Sequence, residues 1–337
     1  MSYEWQDKTV LITGGTGSFG RKFTEVMLAH GRPRKLIIFS RDELKQHEMR
    51  DVFPDGPGSS VRYFLGDVRD RDRLYRALDG VDIVVHAAAL KQVPAAEYNP
   101  LEFIKTNVLG AANLIDAAID CNVKRVIALS TDKAANPINL YGATKLCADK
   151  LFVAANSYSG PHQTRFSVVR YGNVAGSRGS VVPFFLQMRK TGVLPITDPR
   201  MTRFWITLEQ GVNFVVSRLS KMRGGEVFVP KIPSMNIMDL SRAMAPECKT
   251  EVVGIRPGEK LHEVMVPEDD ARHTVEYEDS YVILPPFHGS TASAYVNQNG
   301  GKLCPEGFRY SSDTNSQWLA VEQLRKMVGL LDEAVDG

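Results

Sequence analysis

The chain has 337 residues, 43% hydrophobic and 24% charged, a composition typical of a folded globular protein with room for a large α/β domain and a smaller lobe. Its 41 lysines and arginines nearly balance 39 acidic residues, so a net charge of +2 offers no bulk attraction for nucleic acid or a membrane. The polar start (Ser2, Tyr3, Glu4) has no signal-peptide core, and no apolar run reaches the roughly 18 residues of a spanning helix, which points to a cytoplasmic protein. Cys121, Cys147, Cys248 and Cys304 are scattered without a CxxC pair, against a zinc site or disulfide framework and for reduced, mostly buried thiols.

Over the first 170 residues strand and helix patterns alternate, as in βαβ units of a parallel sheet. Strands are predicted at 9–13, 36–39, 61–65, 81–85, 125–129 and 166–170. Helices are predicted at 18–30, with Ser18 as N-cap, and at 42–52, 71–78, 100–120 and 141–156. Beyond residue 172 glycine and proline punctuate shorter elements, with helices at 208–222, 237–245 and 318–331 and an exposed loop at 285–303. The expected architecture is a Rossmann-type doubly wound parallel sheet over 1–172, followed by a mainly substrate-binding lobe over 173–337 with some segments returning to the main domain.

The first strand runs into Thr13-Gly14-Gly15-Thr16-Gly17-Ser18-Phe19-Gly20. Both Gly15-x-Gly17-x-x-Gly20 and Gly14-x-x-Gly17-x-x-Gly20 fit a turn that lets a pyrophosphate approach the backbone and sit on a helix N-terminus. At the end of the second strand, Ser40-Arg41-Asp42-Glu43-Leu44-Lys45 places Arg41 and Lys45 where a 2′-phosphate would lie, which favours NADP over NAD. The alternative makes Asp42 a ribose ligand or simply the N-cap of the next helix, with Arg41 solvated. Asp67 and Val68 follow the third strand, where Asp67 could hold an adenine amine. Ala87-Ala88-Ala89 and Lys91 follow the fourth, where small side chains would let a cofactor lie against the backbone.

Tyr141 and Lys145 are four apart and share one helix face. An ammonium beside the phenol would lower its pKa and make a base for a sugar or alcohol hydroxyl. Upstream, Asp132 and Lys133 form a second acid/base pair that a simple dehydrogenase does not need.

On these segments, and on Arg170-Tyr171-Gly172-Asn173-Val174, Met201-Thr202-Arg203-Phe204-Trp205 and Arg256-Pro257-Gly258-Glu259-Lys260, the chain resembles the extended short-chain dehydrogenase/reductase superfamily over nearly its whole length. Within it, the resemblance is to soluble bacterial UDP-N-acetylglucosamine 4,6-dehydratases that invert C5 and open pseudaminic acid synthesis. Many related sugar dehydratases carry Asp-Glu where Asp132-Lys133 stands here.

The resemblance implies a lyase with tightly bound NADP. Oxidation at C4 acidifies the C5 proton, water leaves across C5 and C6, and hydride returns to C6. Tyr141 would take the C4 hydroxyl proton, with Lys145 holding the nicotinamide ribose and Thr131 bonded to the C4 oxygen. Lys133, kept neutral part of the time by burial and neighbouring cations, would remove the C5 proton, and a protonated Asp132 would donate to the departing hydroxyl. Lys91 and Asn173 would contact the sugar or diphosphate, and Arg256 and Glu259 the uridine half. Val181, Thr197 and Asn315 are further candidates, and a homo-oligomer, commonly a hexamer, is implied. A UDP-hexose 4-epimerase of the same fold would use Tyr141 and Lys145 but has no task for Asp132 and Lys133. A non-catalytic NADP-sensing protein would have no use for Tyr141.

Overall fold

A computed structural model describes residues 5–176, 180–285 and 292–335. Strands β1 (Thr9–Thr13), β2 (Lys35–Ser40), β3 (Val61–Leu65), β4 (Ile83–His86), β5 (Arg125–Thr131) and β6 (Arg165–Tyr171) run parallel in the order β3-β2-β1-β4-β5-β6. β1 and β4 are buried along their whole length, the condition of strands covered on both faces by helices. Their β-branched runs suit that setting. The chain winds outward from β1 through β2 to β3, then crosses back to β4 and winds the other way. The C-terminal ends of β1 and β4 therefore flank the switch point where such sheets hold ligands.

Four later strands extend this sheet beyond β6. Val227–Pro230 is parallel to β6, Ser280–Ile283 is antiparallel to it, and Thr274–Glu276 and Lys302–Leu303 complete ten strands. The second half of the chain thus supplies the far side of the main sheet as well as a separate lobe. That lobe contains a small sheet of Asn173–Val174, Thr202–Ile206 and Ser234–Asn236, and helices Val181–Arg189 and Ile237–Met244. It has its own core around Phe185, Leu194, Trp205, Met235 and Leu240.

Several boundaries differ from the sequence expectation for local reasons. Gly17, not Ser18, is the N-cap of helix α1 (Ser18–Val26), which widens at Met27–Gly31 before Arg32 reverses the chain at φ 49°. The expected helix over 100–120 is interrupted by a wide turn at Ile104–Leu109. Asn107 in that turn bonds both the N–H (2.8 Å) and the C=O (2.9 Å) of Leu90, a tertiary tie invisible to helical periodicity. An unexpected helix, Val93–Tyr98, precedes it. The stretch expected as a loop over 285–303 contains the helix Ala292–Asn299, while 286–291 lie outside the described residues, as do 1–4. The last helix begins at Val321, because the backbone of Trp318 pairs with Ser234 and the Leu319 N–H donates to the Ser234 carbonyl at 2.9 Å.

All four cysteines are free thiols, and only Cys304 is buried while Cys147 is exposed, which corrects the expectation of mostly buried thiols. Among the described residues, no helix is long and apolar enough to cross a membrane, and no group of three His, Cys, Asp or Glu is placed to hold a metal.

Candidate active site

A cavity of about 620 Å³ runs along the C-terminal edge of the sheet. Its first half is built by the glycine loop: Gly14, Thr16, Gly17, Ser18 and Phe19 line it. Among the described residues no side chain caps the start of α1, so the first-turn amides keep donors for an anion. This donor set fits a dinucleotide pyrophosphate. Gly20 lies behind the lining; a Cβ there would come closer than 3.0 Å to the Gly15 carbonyl, so it serves the close packing of helix on turn.

At the tip of β2 the Thr16 and Ser40 hydroxyls meet at 2.8 Å, with Arg41, Asp42 and Lys45 beside them. Asp42 is the N-cap of helix α2 (Glu43–Val52), accepting from the Lys45 N–H at 3.0 Å and pairing with its ammonium at 2.5 Å. Its carboxylate is committed to that turn, as the N-cap alternative has it, and Glu43 is not among the lining residues. Asp67 lines the cavity but is held by Arg69 at 2.8 Å and Arg41 at 3.5 Å. Burial would raise the Asp67 pKa, yet the Arg69 hydrogen bonds and the two guanidinium charges win and lower it. Val68, Ala87 and Lys91 complete this side.

The second half of the cavity is made by the end of β5 and the helix Leu140–Tyr158. Asn139 caps that helix by accepting from the Gly142 N–H at 2.8 Å. Gly142 is required by close approach: a Cβ would meet the Lys133 carbonyl closer than 3.0 Å. The helix can therefore lie against the turn Asp132–Ala134, bringing Tyr141 beside Thr131 and Lys133. Lys145, one turn on, donates to the Leu129 carbonyl at 2.7 Å. Burial lowers the Lys145 pKa and Asp149 opposes it.

Burial pushes the Tyr141 phenol up to about 12, against the pull of the Lys133 ammonium and a hydrogen bond with Thr131. The sequence expectation assigned that pull to Lys145; the geometry gives it to Lys133, because Lys145 is drawn onto a backbone carbonyl.

Lys133 lies 3.1 Å from Asp132 Oδ1 and 3.5 Å from Glu263 Oε1. Burial would lower its pKa, but the two carboxylates outweigh burial and the neighbouring Arg203, and the pKa is raised. Lys133 is consequently a cation in this state, contrary to the expectation that burial and neighbouring cations keep it partly neutral. Asp132 is fully buried behind the cavity wall. Its Oδ1 accepts from the Thr131 hydroxyl at 2.9 Å, and its Oδ2 has no hydrogen-bond partner among the described residues.

Lys91 and Asn173, expected toward the substrate, line the cavity, and Asn173 Oδ1 is buried without a hydrogen-bond partner among the described residues. Burial and the Lys133 charge lower the Lys91 pKa. The turn 256–260 docks on the same segment: Asn139 donates to the Gly258 carbonyl at 2.8 Å and Lys260 to the Ala135 carbonyl at 2.7 Å. Arg256 and Glu259 face each other at 4.0 Å outside the cavity lining. Val181 and Thr197 also stand outside it; Val181 packs on the lobe core and the Thr197 hydroxyl donates to Met201 Sδ at 3.4 Å. Asn315 has a structural task instead of the expected one, donating to the Ile232 carbonyl (2.9 Å) and Ser234 Oγ (3.0 Å).

Sequence reading missed Glu263, Thr106 and the buried Arg170–Asp149 pair at 3.3 Å. Thr106 faces the cavity from the wide turn that periodicity could not show. Glu263 is separated from Lys133 by 130 residues and belongs to none of the motifs, so only folding brings it there.

The model of the polysaccharide biosynthesis protein family matches residues 10–285. The chain is 56% identical over 327 residues to the UDP-N-acetylglucosamine 4,6-dehydratase (inverting) of Campylobacter jejuni, covering 95% of this chain and 97% of that one. It is 40% identical over 341 residues to a UDP-glucose 4-epimerase of Rickettsia conorii, covering 97% and 96%. The solved structure of Pen from Bacillus thuringiensis superposes with a TM-score of 0.87 at 36% identity, covering 97% and 98%. With a glycine-loop cleft, a Tyr-Lys helix and these relatives spanning almost its full length, the chain belongs to the polysaccharide biosynthesis protein family of nucleotide-sugar dehydratases and epimerases.

Proposed function

We propose that the protein is a UDP-N-acetylglucosamine 4,6-dehydratase that inverts C5, releasing UDP-2-acetamido-2,6-dideoxy-β-L-arabino-hex-4-ulose and water. The observation that carries this reading is the Asp132–Lys133 pair, in contact at 3.1 Å and set beside Tyr141. A 4-epimerase needs only the tyrosine and its lysine. Elimination also needs a base for the C5 proton and an acid for the C6 oxygen. The 56% identity to the Campylobacter enzyme, against 40% to the Rickettsia epimerase, points the same way.

A bound nicotinamide would supply the hydride acceptor for C4 and the donor for C6. Tyr141 takes the C4 hydroxyl proton, with the Lys133 ammonium and Thr131 favouring its phenolate against the cost of burial. Lys145, fixed on the Leu129 carbonyl, would hold the cofactor ribose. Lys133 and Asp132 begin as ammonium and carboxylate. One proton passing across their contact makes a neutral amine and a carboxylic acid, the pair that elimination requires, without exchange with solvent. The amine takes the C5 proton. The acid, buried behind the cavity wall, passes its proton to the leaving hydroxyl by way of the Thr131 hydroxyl 2.9 Å away, so the ion pair is restored. Hydride supplied to C6 would then leave an enolate that takes one proton at C5 on the opposite face, balancing the proton Tyr141 took from the C4 hydroxyl.

NADP is the cofactor this reading favours. Arg41, Ser40 and Lys45 offer donors to a 2′-phosphate, while Asp42 is held in its helix cap. Lys91 and Asn173 are assigned to the sugar diphosphate and the 256–259 turn to the uridine end. A homo-oligomer, a hexamer by the resemblance, in the cytoplasm, feeding pseudaminic acid synthesis, completes the proposal.

The test is incubation of the purified protein with UDP-N-acetylglucosamine in D2O, followed by NMR. A 4-keto-6-deoxy product of L-arabino configuration carrying deuterium at C5 is expected. Formation of UDP-N-acetylgalactosamine without loss of water would overturn the reading.

A further inference from the structure

Glu263 is 2% exposed, and the Oε2 of its carboxylate has no hydrogen-bond partner among the described residues. Oε1 lies 3.5 Å from Lys133 Nζ and 3.8 Å from Arg203 Nε. Oε2 lies 4.0 Å from Lys260 Nζ. A buried carboxylate so placed is costly unless its charge is used.

Its backbone is fixed by the neighbouring segment: the Glu263 N–H donates to Ser312 Oγ at 2.9 Å and its carbonyl accepts from the Ser312 N–H at 2.8 Å. The other two cations already have partners of their own. Arg203 donates to the Thr202, Lys260 and Leu261 carbonyls, and Lys260 to the Ala135 carbonyl. Among the described residues, Lys133 has only Asp132 besides Glu263 as an anionic neighbour within 4.0 Å.

We propose that Glu263 is a positioning residue for elimination: it holds the Lys133 amine between two carboxylates and sets how readily Lys133 hands its proton to Asp132. This rests on the dehydratase reading above. The Glu263 charge favours the ammonium form, and Arg203 and Lys260 behind it temper that preference. The groups facing Lys133 are Asp132 on its own turn, Tyr141 from the helix, Arg203 from the strand Thr202–Ile206, Lys260 and Glu263 from the 256–263 segment, and Lys91 from the loop after β4. Replacing Glu263 by glutamine keeps the shape and removes one negative charge. Lys133 then releases its proton at lower pH, so the limb of the kcat profile that reports Lys133 moves down.

The experiment compares full-length wild type, Glu263→Gln and Glu263→Asp. Keto-sugar formation from UDP-N-acetylglucosamine and C5 deuterium incorporation are followed across pH, with thermal melts alongside. In Glu263→Gln that limb of the kcat profile should move to lower pH by about one unit or more, with KM changed less than about threefold, and Glu263→Asp should recover part of the shift. An unmoved limb with a uniform fall in kcat, or a change in KM alone, would assign Glu263 a merely structural role and overturn the proposal. Independently of turnover, the Lys133 Nζ resonance of 15N-lysine-labelled protein, assigned with Lys133→Arg, should titrate at lower pH in Glu263→Gln; an identical midpoint also overturns it. A wild type inert toward UDP-N-acetylglucosamine sinks the dehydratase reading by itself, and the NMR midpoint still decides whether Glu263 governs Lys133.

Discussion

Replacing Gly142 by alanine tests whether the approach of helix and turn is what assembles the catalytic cluster. In an ordinary exposed helix position the change stabilises by about 0.4–1 kcal/mol, because alanine restricts the unfolded chain. Here the added Cβ meets the Lys133 carbonyl oxygen closer than 3.0 Å, with the Lys133 carbonyl carbon and Pro137 Cβ both at 3.1 Å. Backbone lies on one side and a proline ring on the other, so no flexible side chain can yield. The helix start must therefore withdraw by roughly 1 Å, an overpacking cost of about 1–3 kcal/mol that exceeds the alanine gain. The larger effect falls on chemistry, since withdrawal moves Tyr141 relative to Thr131 and Lys133. A misplacement of this size costs on the order of 100-fold in rate. Thermal melting and steady-state keto-sugar formation measure both, with a modest fall in Tm and a large fall in kcat expected. A variant with turnover within about twofold of wild type and an unchanged melt would refute the claim that Gly142 is there for close approach.

Three other outcomes follow from the geometry. Arg41→Ala should weaken NADP by about tenfold or more while altering NAD by less than about twofold, by calorimetric titration; equal losses would remove Arg41 from the 2′-phosphate. Asp149→Ala leaves the buried Arg170 guanidinium, 3.3 Å away, without its carboxylate and takes the Ser130 hydroxyl's 2.7 Å acceptor too. It should cost about 3–5 kcal/mol in denaturant melts, and an Asp149→Leu/Arg170→Met double variant should recover much of that; a melt like wild type counts against the pair. His86, buried and bonded to the Thr13 hydroxyl at 2.8 Å, is pushed down to about 3 by burial and the Lys145 charge. Because the unfolded chain then binds more protons, the stability from neutral His86 is complete above about pH 6.5 and is lost as pH falls toward 3. A His86→Gln variant should show a flatter acid limb, and identical limbs would remove His86 as a cause.

Much of the fold was legible because short-range rules specify it. Fully buried β-branched strands alternating with helices announce a parallel sheet, and a glycine-rich turn after the first strand locates its ligand edge. Tyr141 and Lys145 could be paired from spacing alone, since a helix puts residues four apart on one face. The wide turn at Ile104–Leu109 could not be read this way, because what holds Asn107 is the backbone of Leu90, on another segment. Asn315 shows the opposite failure: a candidate ligand whose side chain is consumed by a carbonyl and a hydroxyl from a neighbouring strand.

The sequence by itself determined the residue types on offer: a glycine-rich turn at the sheet edge, Tyr141 and Lys145 on one helix face, and an adjacent Asp132-Lys133 pair. Only the tertiary structure decided the state of that pair. Lys133 was expected to be neutral part of the time through burial and neighbouring cations, yet folding sets Glu263 and Asp132 against it, and two carboxylates within 3.5 Å outweigh its desolvation. Local sequence carries helix faces and turns, whereas charge balance in a buried site is summed over residues that meet only when the chain is folded.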